Sequence, residues 1–325
     1  MKIGITYDLK SDYLKMGFTS EEAAEFDKED TIDGIENTLT ILGFETERIG
    51  HVKNLANELI SGKKWDLVFN ICEGMYGIGR EAQVPALLDA WNIPYVFSNP
   101  LVLSLTLHKA MTKRVLRDAG IPTADFYVVY NEEDIENIKL PYPLFAKPLA
   151  EGTGKGINAN SFISTKEQLI KVCQEQLVKY KQPVLVETYL SGREFTVGIT
   201  GTGKEAEIVG VMEVTYTEKA EANIYTFANK DDYEVRIKYS VPEFEMIEKC
   251  KQVALDSWNI LECEDGGRVD IRCDEFGVPN FIEVNPLAGL NPTHSDLPIL
   301  GRLNDVSYEE IIRRIMDSAV KKVKK

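Results

Sequence analysis

The segment Arg268-Val269-Asp270-Ile271-Arg272, the turn residues Asp274-Glu275-Phe276-Gly277 and the segment Phe281-Ile282-Glu283-Val284-Asn285 constrain the fold more than any other part of this chain. Alternation along a strand places Arg268, Asp270 and Arg272 on one face, and Glu283 with Asn285 on one face of its partner. A hairpin that turns near Phe276 sets Asp270 opposite Glu283 and Arg268 opposite Asn285. Two carboxylates directly opposite one another repel, so this register calls for a cation between them. Asp, Glu and an Asn carbonyl are hard oxygen donors, a set that suits magnesium or manganese rather than zinc, above all where nucleotide phosphates complete the shell. The bland alternative is a solvated hairpin face balanced by its own two arginines.

Two further segments point to a nucleotide. Leu144-Phe145-Ala146-Lys147-Pro148 reads as a strand carrying Lys147, followed by Glu151-Gly152-Thr153-Gly154-Lys155-Gly156. Closely spaced glycines let backbone N–H groups approach phosphate oxygens and let the loop open and close, although the G-K-[ST] ending of a Walker A loop is missing. Val184-Leu185-Val186-Glu187 then forms an apolar strand that reaches a second strand, starting at Glu194, through Thr188-Tyr189-Leu190-Ser191-Gly192-Arg193. Such a hinge suits adenine, held by backbone bonds, with Glu194 on the ribose hydroxyls.

The rest of the chain must supply a scaffold, and its 325 residues predict two or three interlocked lobes. Ile3 to Tyr7, Phe44 to Ile49, Asp66 to Ile71 and Tyr95 to Phe97 read as strands. The helix carrying Ile32, Ile35, Leu39 and Leu42, capped by Asp30 or Thr31 and closed by Gly43, falls between the first two; one carrying Val84, Leu87, Leu88 and Trp91 precedes the last. Further helices are expected near 108–119, 243–258 and from Tyr308 onward. The fold class is α/β followed by α+β. A net charge of −15 disfavours nucleic acid as a partner and means that any anionic ligand must be met by a few local cations. Five cysteines without a C-x-x-C pair read as buried thiols. A start that runs directly into a strand, and the lack of any apolar stretch of membrane-spanning length, predict a cytoplasmic protein with no membrane partner.

Taken in order, Lys147, the glycine loop, Glu187 with Glu194, and Arg268, Asp270, Glu283 and Asn285 resemble the ATP-grasp pattern, and in particular the D-alanine–D-alanine ligase family, over nearly the whole chain. The resemblance implies an ATP-grasp fold with an N-terminal Rossmann-like domain at 1–100, a central lid subdomain at 101–190, and a C-terminal subdomain at 191–325 that holds the metal and catalytic site. It implies that Lys109, Lys147, Glu151, Thr153, Gly154, Glu187, Tyr189, Leu190 and Glu194 bind ATP. Asp270, Glu283 and Asn285 would hold two magnesium ions, with manganese as the other cation admitted. Arg268, Lys230 and Gly289 would be catalytic. The reaction implied joins a carboxylate to an amine through an acyl-phosphate, with release of ADP. Small amino acids or amines are the partners, and a homodimer is an assembly that the resemblance allows.

Substrate contacts are carried over to Glu29, Glu73, Tyr225, Asp231 and Ser295. Here the chain departs from the family: Glu73 stands where the family has a His, Asp231 where it has a Tyr, and Asp296 beside Ser295 would repel a carboxylate unless Arg272, Arg302 or another cation compensates. These departures favour a related ligase of changed specificity over a true D-alanine–D-alanine ligase. A non-catalytic ATP-binding regulatory protein is the third reading. Gly77-Ile78-Gly79-Arg80-Glu81-Ala82 fits a dinucleotide-binding string but lacks the acidic residue expected downstream. Gly201-Thr202-Gly203-Lys204 reads as a hairpin turn, and His51, His108 and His294 form no ligand cluster.

Overall fold

A computed structural model describes residues 1–218 and 233–323, with the side chains of Tyr233 and Glu234 also left aside. The order of elements is β1 (Lys2–Tyr7), α1 (Lys10–Lys15), α2 (Glu29–Ile41), β2 (Glu45–Gly50), α3 (Val52–Ile60), β3 (Leu67–Ile71), α4 (Gln83–Ala90), α5 (Pro100–Leu107), α6 (Lys109–Asp118), β4 (Phe126–Val129), β5 (Leu144–Pro148), β6 (Phe162–Ile163), α7 (Lys166–Tyr180), β7 (Val184–Thr188), β8 (Glu194–Thr200), β9 (Glu207–Tyr216), α8 (Tyr233–Arg236), β10 (Ile237–Ser240), α9 (Phe244–Ile260), β11 (Gly266–Cys273), β12 (Pro279–Asn285), α10 (Asp296–Leu303) and α11 (Tyr308–Val323).

Three sheets organise these elements. The first is parallel in the order β2-β1-β3, and its strand β3 is buried along its whole length, as a parallel strand covered on both faces must be. Tyr95 to Phe97 does not form a full strand beside it. Only a bridge, Val68 with Tyr95, survives, because Phe97 turns to φ 77° and gives its N–H to Asp265 instead of continuing the ladder. The second sheet, β4-β7-β5-β6, is antiparallel and packs on α7, which starts with a Thr165–Gln168 capping box. The third, β10-β9-β8-β11-β12, is antiparallel and backed by α9.

The apolar cores cross the lobes. Ile3, Ile35 and Phe69 of the N-terminal sheet layer share one cluster with Leu297 and Leu300 of α10 and Ile311 and Ile315 of α11. Val102 of α5 and Leu116 of α6 join the core under the third sheet. Helix α2 starts one residue before the expected caps: Lys28 is its N-cap, without a side-chain bond, and Asp30 accepts from the adjacent Thr31 N–H. Trp91, expected on a buried face, lies just past α4 and is 44% exposed, while Ile93 is buried in its place. All five cysteines are free and buried. Among the described residues, no helix is long and apolar enough to cross a membrane.

Candidate active site

The cleft lies between the second and third sheets. The β11–β12 hairpin takes the register expected from alternation, with Arg268 paired to Asn285 and Asp270 to Glu283, and with a bulge just after Asp270. On its other edge β11 pairs with β8, placing Thr196 beside Asp270 and Glu194 beside Arg272. That register explains the polar contacts. Thr196 Oγ1 donates to Asp270 Oδ1 at 2.9 Å, and Arg272 Nη1 stands 3.1 Å from Glu194 Oε2. Arg268 Nη1 donates to Asp270 Oδ2 in a very short bond, and Arg268 Nη2 is 3.7 Å from Asp296 Oδ2. The cation expected to offset Asp296 is therefore Arg268. Arg272 is engaged by Glu194 and Tyr189, and Arg302 by the carbonyls of Pro292 and Thr293.

The opposite wall comes from the second sheet. Glu187 of β7 pairs with Phe145 of β5, and Lys147 pairs with Leu185, so Lys147 and Glu187 are diagonal neighbours on one face. Lys147 Nζ is 3.0 Å from Glu187 Oε2, and Lys113 Nζ of α6 is 2.6 Å from Glu187 Oε1, with both lysines and the glutamate buried. Burial alone would raise the Glu187 carboxyl, but the two lysines hold it below the usual carboxylate range. Lys113 is shifted down by its burial, whereas in Lys147 the same burial is outweighed by Glu187, Glu283 and Asp270. Lys113 carries no signal in the sequence beyond the apolar spacing of α6. The site needs it because Glu187 has two buried oxygens to satisfy.

Two cavities open along this cleft. The first, about 850 Å³ including its mouth, is bounded by Lys147, Gly154, Glu187, Tyr189, Leu190, Glu194 and Asp270. The second, about 980 Å³, is bounded by Glu73, Thr153, Arg268, Asn285, Gly289 and Ser295. Lys109, Glu151 and Glu283 line both, so the two spaces meet at these side chains. There Lys109 Nζ donates to the Glu151 carbonyl at 2.6 Å and lies 3.3 Å from Glu283 Oε2. Gly289 lies against Ser295, whose Oγ accepts from Asn291 N–H at 2.9 Å; a Cβ at Gly289 would stand 2.8 Å from that oxygen.

The second cavity is acidic. Asp27, Glu73 and Glu81 line it, and burial pushes all three carboxyls up, Asp27 and Glu81 to about 7. Glu29 does not take part. It falls on the face of α2 that meets Arg48, which gathers Glu29, Asp33 and Glu36 outside the cavity. Because α2 begins at Glu29, the acids of this stretch that reach the cavity come from the preceding loop and are Glu25 and Asp27. Lys230, Tyr225 and Asp231 fall outside the described residues.

The donor set fits a divalent cation by its chemistry. Asp270, Glu283 and Asn285 present oxygens only, and the facing carboxylates already draw Arg268 and Lys109 toward them, as a site short of positive charge does. Lys109, Lys147 and Lys155 in the lining of the first cavity suit the charged end of a nucleotide, while Phe145, Ile157, Leu190 and Ile282 suit a flat apolar base.

Known proteins share this sequence and fold over most of the chain. Residues 115–317 match the model of the D-ala D-ala ligase C-terminus, more than half of the chain. A D-alanine–D-alanine ligase from Marinomonas sp. is 30% identical over 266 residues, covering 80% of this chain and 79% of the relative. An uncharacterised protein, y4sG, from Sinorhizobium fredii is 31% identical over 256 residues, covering 78% and 74%. Among solved structures, D-alanine–D-alanine ligase from Bacillus anthracis complexed with ATP superposes with a TM-score of 0.74 at 22% identity, over 100% of this chain and 99% of that one. The chain belongs to the D-alanine–D-alanine ligase family and is an ATP-dependent, ADP-forming carbon–nitrogen ligase with the ATP-grasp fold.

Proposed function

We propose that this ligase activates the carboxylate of a small amino acid as an acyl-phosphate and passes the acyl group to an amine or a second amino acid, with ATP in the first cavity and the amino acid in the second. The observation that carries the proposal is the meeting of the two cavities at Lys109, Glu151 and Glu283, beside Arg268. A γ-phosphate held at that junction would face a carboxylate held beside Arg268.

In this reading the backbone of Tyr189 and Leu190 receives the base, Glu194 the ribose, and Glu187 acts by fixing Lys147 toward the phosphates. Lys109 and Lys147, together with the loop N–H groups at Thr153 and Gly154, bind phosphate oxygens. Asp270, Glu283 and Asn285 would hold magnesium, which when bound neutralises phosphate charge. Arg268 stabilises the transferring phosphoryl and then the oxyanion of the tetrahedral intermediate, aided by the backbone at Gly289. Lys230, Tyr225 and Asp231 keep the roles that the family resemblance gives them. The ammonium group of the amino acid is taken up among Asp27, Glu73 and Glu81, whose burial beside one another favours a positive charge in their midst. Glu151 and Lys155, paired at 3.0 Å, keep the glycine-rich loop over the junction and keep water from the acyl-phosphate. Asp296 next to Arg268 and Ser295 favours an acceptor other than D-alanine.

The test is ATP- and magnesium-dependent phosphate release over a panel of D- and L-amino acids and simple amines, singly and in pairs. Release with D-alanine alone identifies a true D-alanine–D-alanine ligase, and release only with another pair identifies the related ligase proposed here. Silence across the panel supports an ATP-binding regulator. Arg268→Ala is expected to lower kcat by about 10²-fold or more while leaving ATP affinity within a few-fold, the pattern for loss of one oxyanion donor. Full turnover in this variant would overturn the mechanism.

A further inference from the structure

Arg80 has no place in the chemistry above. It stands in the short turn of 3-10 helix (Arg80–Ala82) between β3 and α4, on the string that resembles a dinucleotide-binding loop. Its side chain is only 8% exposed, an unusual place for a permanent charge. Nη2 donates to Glu25 Oε2 at 2.8 Å, Nη1 donates to the Ala150 carbonyl at 2.9 Å, and Glu151 Oε2 lies 3.9 Å from Nη2. Glu25, also 8% exposed, uses its other oxygen to accept from the Gly152 N–H at 2.6 Å.

These partners come from separate parts of the chain. Glu25 precedes α2 and Arg80 follows β3, so both charges belong to the N-terminal unit. Ala150 and Gly152 open the glycine-rich loop that follows β5 and covers the junction of the cavities. The approach is close enough that a Cβ at Gly152 would stand 3.0 Å from Glu25 Oε1. Burial would raise the Glu25 carboxyl, but Arg80 and the Gly152 N–H hold it low, so the carboxylate is charged and bonds as an anion. A second strap joins the N-terminal unit to the end of α7 at the surface, Glu21 with Lys179 Nζ at 2.6 Å and Tyr180 Oη at 3.2 Å; it is about half exposed and is weakened by solvent.

We infer that Arg80 is a positioning residue that latches the glycine-rich loop to the N-terminal unit, so that the loop stays shut while the acyl-phosphate stands in the cavity. The planar guanidinium spans Glu25 and Ala150 at once, which an ammonium, as a point charge, does not do with the same geometry. Without it, Glu25 is a buried anion left facing Glu151 of the loop with no cation between them, the Ala150 carbonyl loses its donor, and the loop segment is driven away. An open loop admits water. Water then attacks the acyl carbon, the bond to the phosphate oxygen breaks, phosphate leaves, and the starting carboxylate is regenerated with ATP spent and no product formed. The consequence for coupling rests on the ligase reading; the latch itself rests on the geometry.

The experiment compares the full-length wild type with Arg80→Met, Arg80→Lys and, as a surface control, Glu21→Ala. Phosphate released per amide formed is measured on the amino-acid pair that the panel identifies. Hydrogen exchange of residues 149–157 is measured with a non-hydrolysable ATP analogue and magnesium. The ratio is expected near unity in the wild type and in Glu21→Ala, raised about 5-fold or more in Arg80→Met, and intermediate in Arg80→Lys, as water gains the site. Loop protection should fall in the same order. A wild type silent on every pair would defeat the ligase reading, and the exchange measurement would still decide the latch. If Arg80→Met retains loop protection, or if it fails to fold while Arg80→Lys shows wild-type coupling and protection, the inference is wrong.

Discussion

Single side chains in this protein are held by neighbours that the local sequence does not reveal. Lys113 is the clearest case. It is fully buried, donates to Thr123 Oγ1 at 2.6 Å and lies 2.6 Å from Glu187 Oε1 as an ion pair, while Thr123 in turn donates to the Phe281 carbonyl. Replacing Lys113 with Met keeps the volume and removes the charge, leaving Glu187 with Lys147 alone. A loss of roughly 3 kcal/mol in thermal unfolding is expected, the usual result of breaking a buried pair from one side, together with weaker ATP binding by calorimetry. Unchanged ATP affinity would show that Lys113 does not orient the nucleotide wall. The contrast between Glu29 and Glu25 has the same origin. The acidic run before α2 announces a carboxylate near the site, but the choice depends on where the helix starts, and that is set by the packing of Ile32, Ile35 and Leu39 on the sheet.

At the scale of elements, alternation was a reliable guide wherever two strands are local in sequence. The register of β11 and β12 follows from the spacing of Asp270 and Glu283 about the Asp274–Gly277 turn, and the structure adds only the bulge after Asp270. The hairpin tolerates little change. A Cβ at Gly267 would come within 2.4 Å of the Asn285 carbonyl oxygen and 2.9 Å of the Trp258 ring. Gly267→Ala is therefore predicted to cost about 1–3 kcal/mol through overpacking and, because Arg268 and Asn285 are the next pair along, to lower kcat. Thermal denaturation and turnover check this together; a variant with wild-type values for both would mean that the hairpin shifts without effect on the site. The turn at Gly201 to Lys204 between β8 and β9 was legible for the same local reason. Tyr95 to Phe97 was not, since its ladder is ended by a carboxylate 168 residues away.

Across the whole molecule, that carboxylate, Asp265, ties the ends of the chain together. It is fully buried at φ 63° and accepts from Phe97 N–H at 2.8 Å, Ser318 Oγ at 2.8 Å and Lys322 Nζ at 2.7 Å, so that β11, the N-terminal sheet layer and α11 share one anion. Asp265→Asn keeps the shape but offers Lys322 a neutral partner. It is expected to lower unfolding stability by about 2–4 kcal/mol, whereas Glu205→Ala, which breaks only the exposed pair with Lys321, should leave it essentially unchanged. Equal effects in a denaturant titration would remove Asp265 from its role as the joint.

The sequence by itself determined the chemistry on offer: oxygen ligands on facing strands, a lysine before a glycine-rich loop, a hinge with two glutamates, and their order along the chain. These features are local, because strand alternation and turn formation act over a few residues. Tertiary structure decided which cations meet which carboxylates. Arg268 rather than Arg272 or Arg302 approaches Asp296, Glu25 rather than Glu29 reaches the cavity, and Arg80 and Lys113 lie buried against acids from other elements. The physical reason is that an ion pair depends on distances of a few ångströms between groups far apart in the chain, and only the packing of the three sheets brings those distances about.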